Sequence, residues 1–262
     1  MAQEISDSFD SYDTTFWNSS DFAVASTWNQ TAWEADYVQV GGGSLTLGLD
    51  GADKDGKPFT GAEVQSRDYF GYGAFEMSLK TSGEPGTVSA FFLYTGEYFG
   101  ADKHNEIDFE FLGNNPTQVS INYYYDDDKL ANHIEEDIEL GFDASEGFHD
   151  YRIDWAPDAI RWFVDDRLFY EVRGENAPLP IPDEQMRVMT SLWTGADNLE
   201  SWHGAIDPNI STSMEVTSFS FTEAEIPVPV DATGAATFAG VAEGLVIEPS
   251  APGGFRRLVV DR

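Results

Sequence analysis

Apolar residues recur at every second position through most of this chain, the spacing of strands that bury one face and expose the other. The segments that follow this rhythm are 38–49, 73–80, 87–94, 105–112, 118–125, 148–155, 160–172, 187–193 and 214–221. They are rich in Val, Ile, Thr, Tyr, Phe and Trp, and Gly, Asp and Asn clusters separate them. Within 160–172, Asp165-Asp166 fits a hairpin turn. No long amphipathic helix and no fixed-period repeat interrupts the pattern. The reading is all-β, with two antiparallel sheets packed face to face.

The rhythm breaks at Ile226-Pro227. From there the chain turns to Val-Pro-Val and then to Ala, Gly and Val with Pro249 and Pro252. Two organisational units are expected: a folded domain over 1–226, and a tail over 227–262 acting as linker, sorting segment or cloning remnant. Two short apolar stretches in the tail would suit a strand, but the glycines and prolines around them argue against it.

At 262 residues the chain can bury one large core. It has no Cys, which excludes a disulfide framework, thiolate metal sites and a cysteine nucleophile. No run approaches the length of apolar sequence a membrane helix needs, so no membrane partner is expected. The opening Met-Ala-Gln-Glu suits a secreted domain whose signal peptide has been removed.

Charge changes the picture more. The formal net charge is −33, with 47 acids against 14 Lys and Arg. A surface of that sign repels nucleic acid, which proteins bind by releasing counterions from basic patches. We read the acidity as a solvating shell whose self-repulsion high salt screens, the expectation for a marine or salt-loving source.

One segment carries acids that solvation does not explain. In Asn105-Glu-Ile-Asp-Phe-Glu-Phe-Leu112, alternation puts Glu106, Asp108 and Glu110 on one face and Ile107, Phe109 and Phe111 on the other. Neighbouring carboxylates in such a row lie about 6–7 Å apart. Ionising all three therefore costs repulsion, and at least one pKa must rise. A solvated acidic face is the plain alternative. A metal site is a second, although a straight strand spreads its oxygens rather than converging them on one ion.

An ionised carboxylate beside a protonated one is what glycosidic-bond cleavage requires, one to meet the anomeric carbon and one to protonate the leaving oxygen. Other chemistries find weaker support. Residues 51–56 half-match a calcium loop, but Gly51 stands at its first ligand position and Ala62 at its last. There is no paired-histidine metalloprotease spacing and no Gly-x-Ser-x-Gly elbow. Of the four histidines, only His104, two residues before Glu106, sits near the row.

The stretch Glu106-Ile-Asp-Phe-Glu-Phe-Leu-Gly113 resembles the signature of glycoside hydrolase family 16, in its lichenase and xyloglucan-transferase branch. The likeness extends through Phe70-Gly-Tyr-Gly-Ala-Phe-Glu76, Ser89-Ala-Phe-Phe-Leu-Tyr-Thr-Gly96, Ile160-Arg-Trp-Phe-Val-Asp165 and Ser191-Leu-Trp-Thr-Gly195, in lichenase order, and covers residues 6–221. It implies a concanavalin-like β-jelly roll whose concave sheet forms a cleft for a polysaccharide. It further implies retaining hydrolysis with Glu106 as nucleophile, Asp108 as its assistant and Glu110 as general acid/base. No cofactor is implied for catalysis.

Substrate contacts carry over to Glu63, Gln65, Phe92, Tyr94, His104, Asn122, Tyr124, Trp193 and Trp202, although core packing accounts for any one aromatic as well. Aromatic platforms flanked by hydrogen-bonding groups suit the flat C–H faces of sugars. Many members bind a structural calcium, and Gly43 and Glu215 match two of those positions, with Glu where Asp is usual.

Departures concern specificity. His104 stands where bacterial lichenases carry Trp, and Asn105 where they carry Asp. Ser191 replaces an Asn, Gln65 replaces a common Arg, and Arg67-Asp68 is an insertion. Two functions follow. One is an endo-acting retaining β-glucanase, most naturally on neutral β-1,3-1,4-glucan and working as a monomer, with laminarin, xyloglucan or galactan as other substrates. The other is a carbohydrate-binding jelly roll without catalysis. The intact carboxylate row favours the first.

Overall fold

A computed structural model describes residues 2–126 and 133–224, and the backbone of two short strands further on. The chain divides into two compact units, 1–224 and 225–262. In the first, sixteen strands are β1 (Glu4–Asp7), β2 (Trp17–Ser19), β3 (Thr31–Trp33), β4 (Val38–Gly41), β5 (Ser44–Asp50), β6 (Phe59–Ser66), β7 (Gly73–Lys80), β8 (Val88–Thr95), β9 (Asn105–Leu112), β10 (Gln118–Tyr125), β11 (His133–Glu139), β12 (His149–Ala156), β13 (Ala159–Val164), β14 (Arg167–Arg173), β15 (Arg187–Trp193) and β16 (Ser211–Glu223). Among the described residues the only α-helix is the single turn Glu200–His203.

Twelve of the strands form one continuous hydrogen-bonded path, in the order β11-β10-β9-β8-β15-β6-β5-β16-β7-β12-β13-β14, while β1 pairs with β16, β2 and β3 with β6, and β4 with β5. At the junction of β6 with β5 only two residue pairs connect, Leu49 with Gly61 and Asp50 with Thr60. There the path folds over into two layers. The jelly-roll expectation holds, with the two layers joined at β6 rather than separate.

The core lies between the layers. β7 and β5 alternate strictly, burying Phe75, Met77 and Leu79, and Leu45, Leu47 and Leu49. From the other layer β9 sends in Ile107, Phe109 and Phe111. Tyr151 of β12 meets Phe111 edge-on with ring centroids 4.6 Å apart. The Trp162 indole N–H donates to the Asp108 carbonyl at 3.0 Å. Each buried aromatic contributes about 1.5–3 kcal/mol by leaving water. The apolar side of β9 is thus clamped to the opposite layer, and its acidic side must face outward.

Some expected elements differ. The 38–49 segment is a hairpin, β4 and β5, because Gly42 and Gly43 take positive φ values of 66° and 81° and reverse the chain. Strand β6 shows no alternation because all eight of its residues are buried. The Asp165-Asp166 turn forms as expected, with φ of 48° and 62° at the two residues, the geometry of a two-residue hairpin loop. In the second unit Leu245–Ile247 and Leu258–Val260 pair as antiparallel strands, where the sequence reading had favoured none.

Candidate active site

The outward face of the β11-to-β6 layer carries the expected row, and its register fixes the neighbours. On β9, Glu106 lies between Tyr94 of β8 and Tyr124 of β10. Asp108 lies between Phe92 and Asn122, and Glu110 between Ala90 and Ser120. Across β8, strand β15 sets Arg187 beside Tyr94, Met189 beside Phe92 and Ser191 beside Ala90. β6 then sets Gln65 beside Met189 and Glu63 beside Ser191. Period-two alternation places on one surface the three acids with Glu63, Gln65, Phe92, Tyr94, Asn122, Tyr124 and Trp193. His104 joins them by its contacts.

Each acid has its own environment. Glu106 Oε2 lies 2.7 Å from His104 Nε2. The His104 ring stacks on Tyr124, with centroids 5.2 Å apart and planes 11° from parallel, and meets Tyr94 edge-on at 5.3 Å. His104 therefore fills, as a flat ring, the position where the resemblance expected a Trp, and it adds a hydrogen bond.

Asp108 is 4% exposed, and its pKa is raised well above the carboxylate range by burial, by the charges of Glu106 and Glu110, and by its hydrogen bond to Glu106. Glu110 accepts from Asn122 Nδ2 at 2.8 Å. Burial, then the charges of Glu106 and Glu135, push it up to about 8, against the lowering effect of that hydrogen bond. Burial and mutual repulsion thus favour the protonated forms of both Asp108 and Glu110 over three full charges in one row.

The rest of the surface is polar and tightly bonded. Glu63 accepts from Ser20 Oγ at 2.6 Å, and burial pushes its pKa up to about 7. Gln65 donates to Ser20 Oγ at 3.0 Å and accepts from Arg187 Nη1 at 2.6 Å. At the far end of the strands Trp193 packs with Trp33 and Val88, and Trp202 lies 6.1 Å from it, ring to ring. Trp28 stands edge-on to Trp193 at 5.5 Å and is 43% exposed.

Sequence reading missed Ser20, Trp28 and Arg187. Ser20 and Trp28 lie outside any strand rhythm, in the segment between β2 and β3. Arg187 shares the face of Ser191 and Trp193, so the period of β15 already placed it there.

The two expected calcium positions have plain local surroundings. Gly43 is a turn glycine, and the Glu215 carboxylate is neutralised by Lys80 Nζ at 2.6 Å. No group of three acidic or histidine side chains able to hold a metal occurs among the described residues. The 51–56 segment is a turn, with Asp55 and Gly56 at positive φ and Lys54 paired to Asp21 and Glu34.

A jelly roll with a row of unequal carboxyls on its concave sheet defines a class of carbohydrate-active proteins. Residues 25–210 match the sequence profile of glycosyl hydrolases family 16, and the chain belongs to that family. It is a glycoside hydrolase. It is 37% identical over 207 residues to the β-glucanase of Paenibacillus macerans, covering 73% of this chain and 83% of that protein. It is 36% identical over 220 residues to the endo-1,3-1,4-β-glycanase ExoK of Rhizobium meliloti, covering 83% of this chain and 78% of that one. Among solved structures, a prokaryotic β-1,3-1,4-glucanase (lichenase) from a mouse hindgut metagenome superimposes with a TM-score of 0.75. It is 32% identical, and the match covers 83% of this chain and 98% of that one.

Proposed function

We propose that this protein is an endo-acting retaining β-glucanase that cleaves β-1,3-1,4-glucan through Glu106, Asp108 and Glu110. The observation that carries the reading is the asymmetry of the row. Glu106 is held by His104 and by the proton of Asp108, while Glu110 keeps its own proton up to about pH 8. Nucleophile and acid must flank the scissile bond on opposite faces of the sugar. A glucan chain passing between Glu106 and Glu110 therefore runs across the strands.

Glu106 attacks the anomeric carbon as Glu110 gives its proton to the departing glycosidic oxygen, leaving a glycosyl ester on Glu106. Glu110, now ionised, takes a proton from water, which hydrolyses the ester with a second inversion. Burial favours the protonated form of Asp108, which can donate to Glu106 and spare the nucleophile a second negative charge beside it. Asn122 fixes the Glu110 carboxyl, and Phe92, Tyr94, Tyr124, Trp193 and Trp202 offer ring faces for sugars. The similarity to proteins named as β-1,3-1,4-glucanases supports the linkage. We assign catalysis to residues 1–226 of a secreted monomer and a linker or sorting role to 227–262.

Incubation with barley β-glucan, laminarin, xyloglucan, carboxymethylcellulose and agarose, followed by sizing of the products, tests this reading. Short oligosaccharides from barley glucan with a rapid fall in viscosity are expected. Glucose released as the sole product, or attack confined to one of the other polymers, contradicts it.

A further inference from the structure

Both rims of the groove carry aromatic side chains, and two of these meet. Phe22 lies two residues beyond Ser20, whose hydroxyl bonds Glu63 on the groove floor. Its backbone carbonyl accepts from Trp33 N–H at 2.9 Å, and its ring packs with the cluster that holds Trp33, Val88 and Trp193. Phe22 therefore rises from the rim at the Trp193 end. Tyr98 comes from the opposite rim, in the single turn Glu97–Phe99 that follows β8. Phe99 anchors that turn. Its ring lies 5.6 Å from Tyr94, 6.4 Å from Tyr69 and 4.6 Å from the Arg187 guanidinium, which also covers Tyr69 at 4.8 Å. The Phe22 and Tyr98 rings stack with centroids 5.2 Å apart and planes 25° from parallel.

What lies on the floor between these rims is closed to water. Glu63, Gln65, Met189 and Ser191, all on the concave face of β6 and β15, are 7%, 4%, 4% and 2% exposed. Polar residues on the floor of an open polysaccharide groove are solvated when no substrate is bound. These are covered, and burial raises the Glu63 pKa accordingly.

We propose that the Phe22–Tyr98 pair roofs the groove over β15 and β6 and sets how many sugar units the enzyme binds on that side of the scissile bond. This rests on the functional reading above, since a chain threading between Glu106 and Glu110 crosses β8 and β15 and then meets the pair. Glucan that reaches past β15 has to part the rings. Tyr98 has room to move, because it is 64% exposed and borders a cavity of about 570 Å³ that Tyr94 and His104 also line. Stacking of two aromatic rings adds a modest attraction beyond the area it buries. Parting them therefore disfavours long occupancy on that side without forbidding it.

The test compares wild type with Phe22→Ala and Tyr98→Ala in the full chain. Products are sized by mass spectrometry from whichever glucan the wild type cleaves, and kcat/KM is measured on the polymer and on a short chromogenic oligosaccharide. Both variants are expected to lengthen the dominant product by at least one sugar unit and to raise kcat/KM on the polymer several-fold, with the short substrate unchanged. Tyr98→Ala removes a mostly exposed ring, so its fold is secure, and Phe22→Leu serves if Phe22→Ala unfolds. Unchanged product lengths in Tyr98→Ala overturn the proposal. So does a raised KM at constant product length, which would make the rings an ordinary sugar platform. A wild type that cleaves no β-glucan contradicts the functional reading instead.

Discussion

At the scale of single residues, three carboxyls one strand-repeat apart differ because their surroundings differ. Glu106→Gln keeps shape and hydrogen bonding but cannot form a glycosyl ester, so turnover of barley glucan should fall roughly 10⁴-fold or more. Glu110→Ala removes the proton donor, so it should impair glucan cleavage while sparing aryl glycosides whose leaving groups need no proton. In the wild type, kcat/KM should fall as pH rises through about 8, where Glu110 loses its proton, and this alkaline limb should vanish in Glu110→Ala. A limb that persists there assigns the titration to another group. Glu63 supplies a stability effect of known sign. Its pKa rises from 4.5 to about 7 on folding, so the folded state prefers the neutral acid, and stability present below pH 4.5 is lost as pH rises toward 7. Glu63→Gln should stabilise the protein by up to about 3 kcal/mol at pH 8 and hardly at all at pH 4. Thermal melts at both pH values decide this, and equal gains at both contradict it.

At the scale of elements, legibility followed how evenly each strand divides between core and solvent. β9 was plain because its apolar half faces Tyr151 and its acidic half faces the groove. β6 was not, because Ala62 and Val64 enter the core while Glu63 and Gln65 are covered on the other face. Without a solvated face there is no alternation to read. β11, His133–Glu139, is too acidic to show an apolar face in its sequence, yet it pairs along β10 with Glu135 beside Asn122. That the three acids share one face, and that most of the proposed platform lies beside them, was legible from period two. The rims were not, since Phe22, Trp28 and Tyr98 lie in irregular segments whose course the core does not dictate. The turn between β13 and β14 offers a direct test of the backbone argument. Asp166 holds φ at 62°, which costs a residue with a Cβ and not glycine. Among the described residues its one ionic contact is to Arg152, which also has Asp154 and Glu76. Asp166→Gly should stabilise by about 0.5–1 kcal/mol, read as a Tm rise of roughly 1–4 °C. A lower Tm would mean that the Arg152 contact outweighs the strain.

For the whole molecule, the net charge of −33 sets the response to salt. Self-repulsion on such a surface is screened as ionic strength rises, so both Tm and activity on neutral glucan should climb from salt-free buffer toward molar NaCl. A steady decline over that range removes the salt-loving reading, and leaves the proposed chemistry of the cleft untouched because the proposed substrate is uncharged. The fold and the row together predict the stereochemistry of the intact enzyme. Two displacements at one carbon return its starting configuration, whereas direct attack by water inverts it. Proton NMR of the first minutes of barley glucan hydrolysis should therefore show the β-anomer of the new reducing end appearing first, with the α-anomer growing in only by mutarotation. An α-anomer formed first would contradict a glycosyl-enzyme on Glu106.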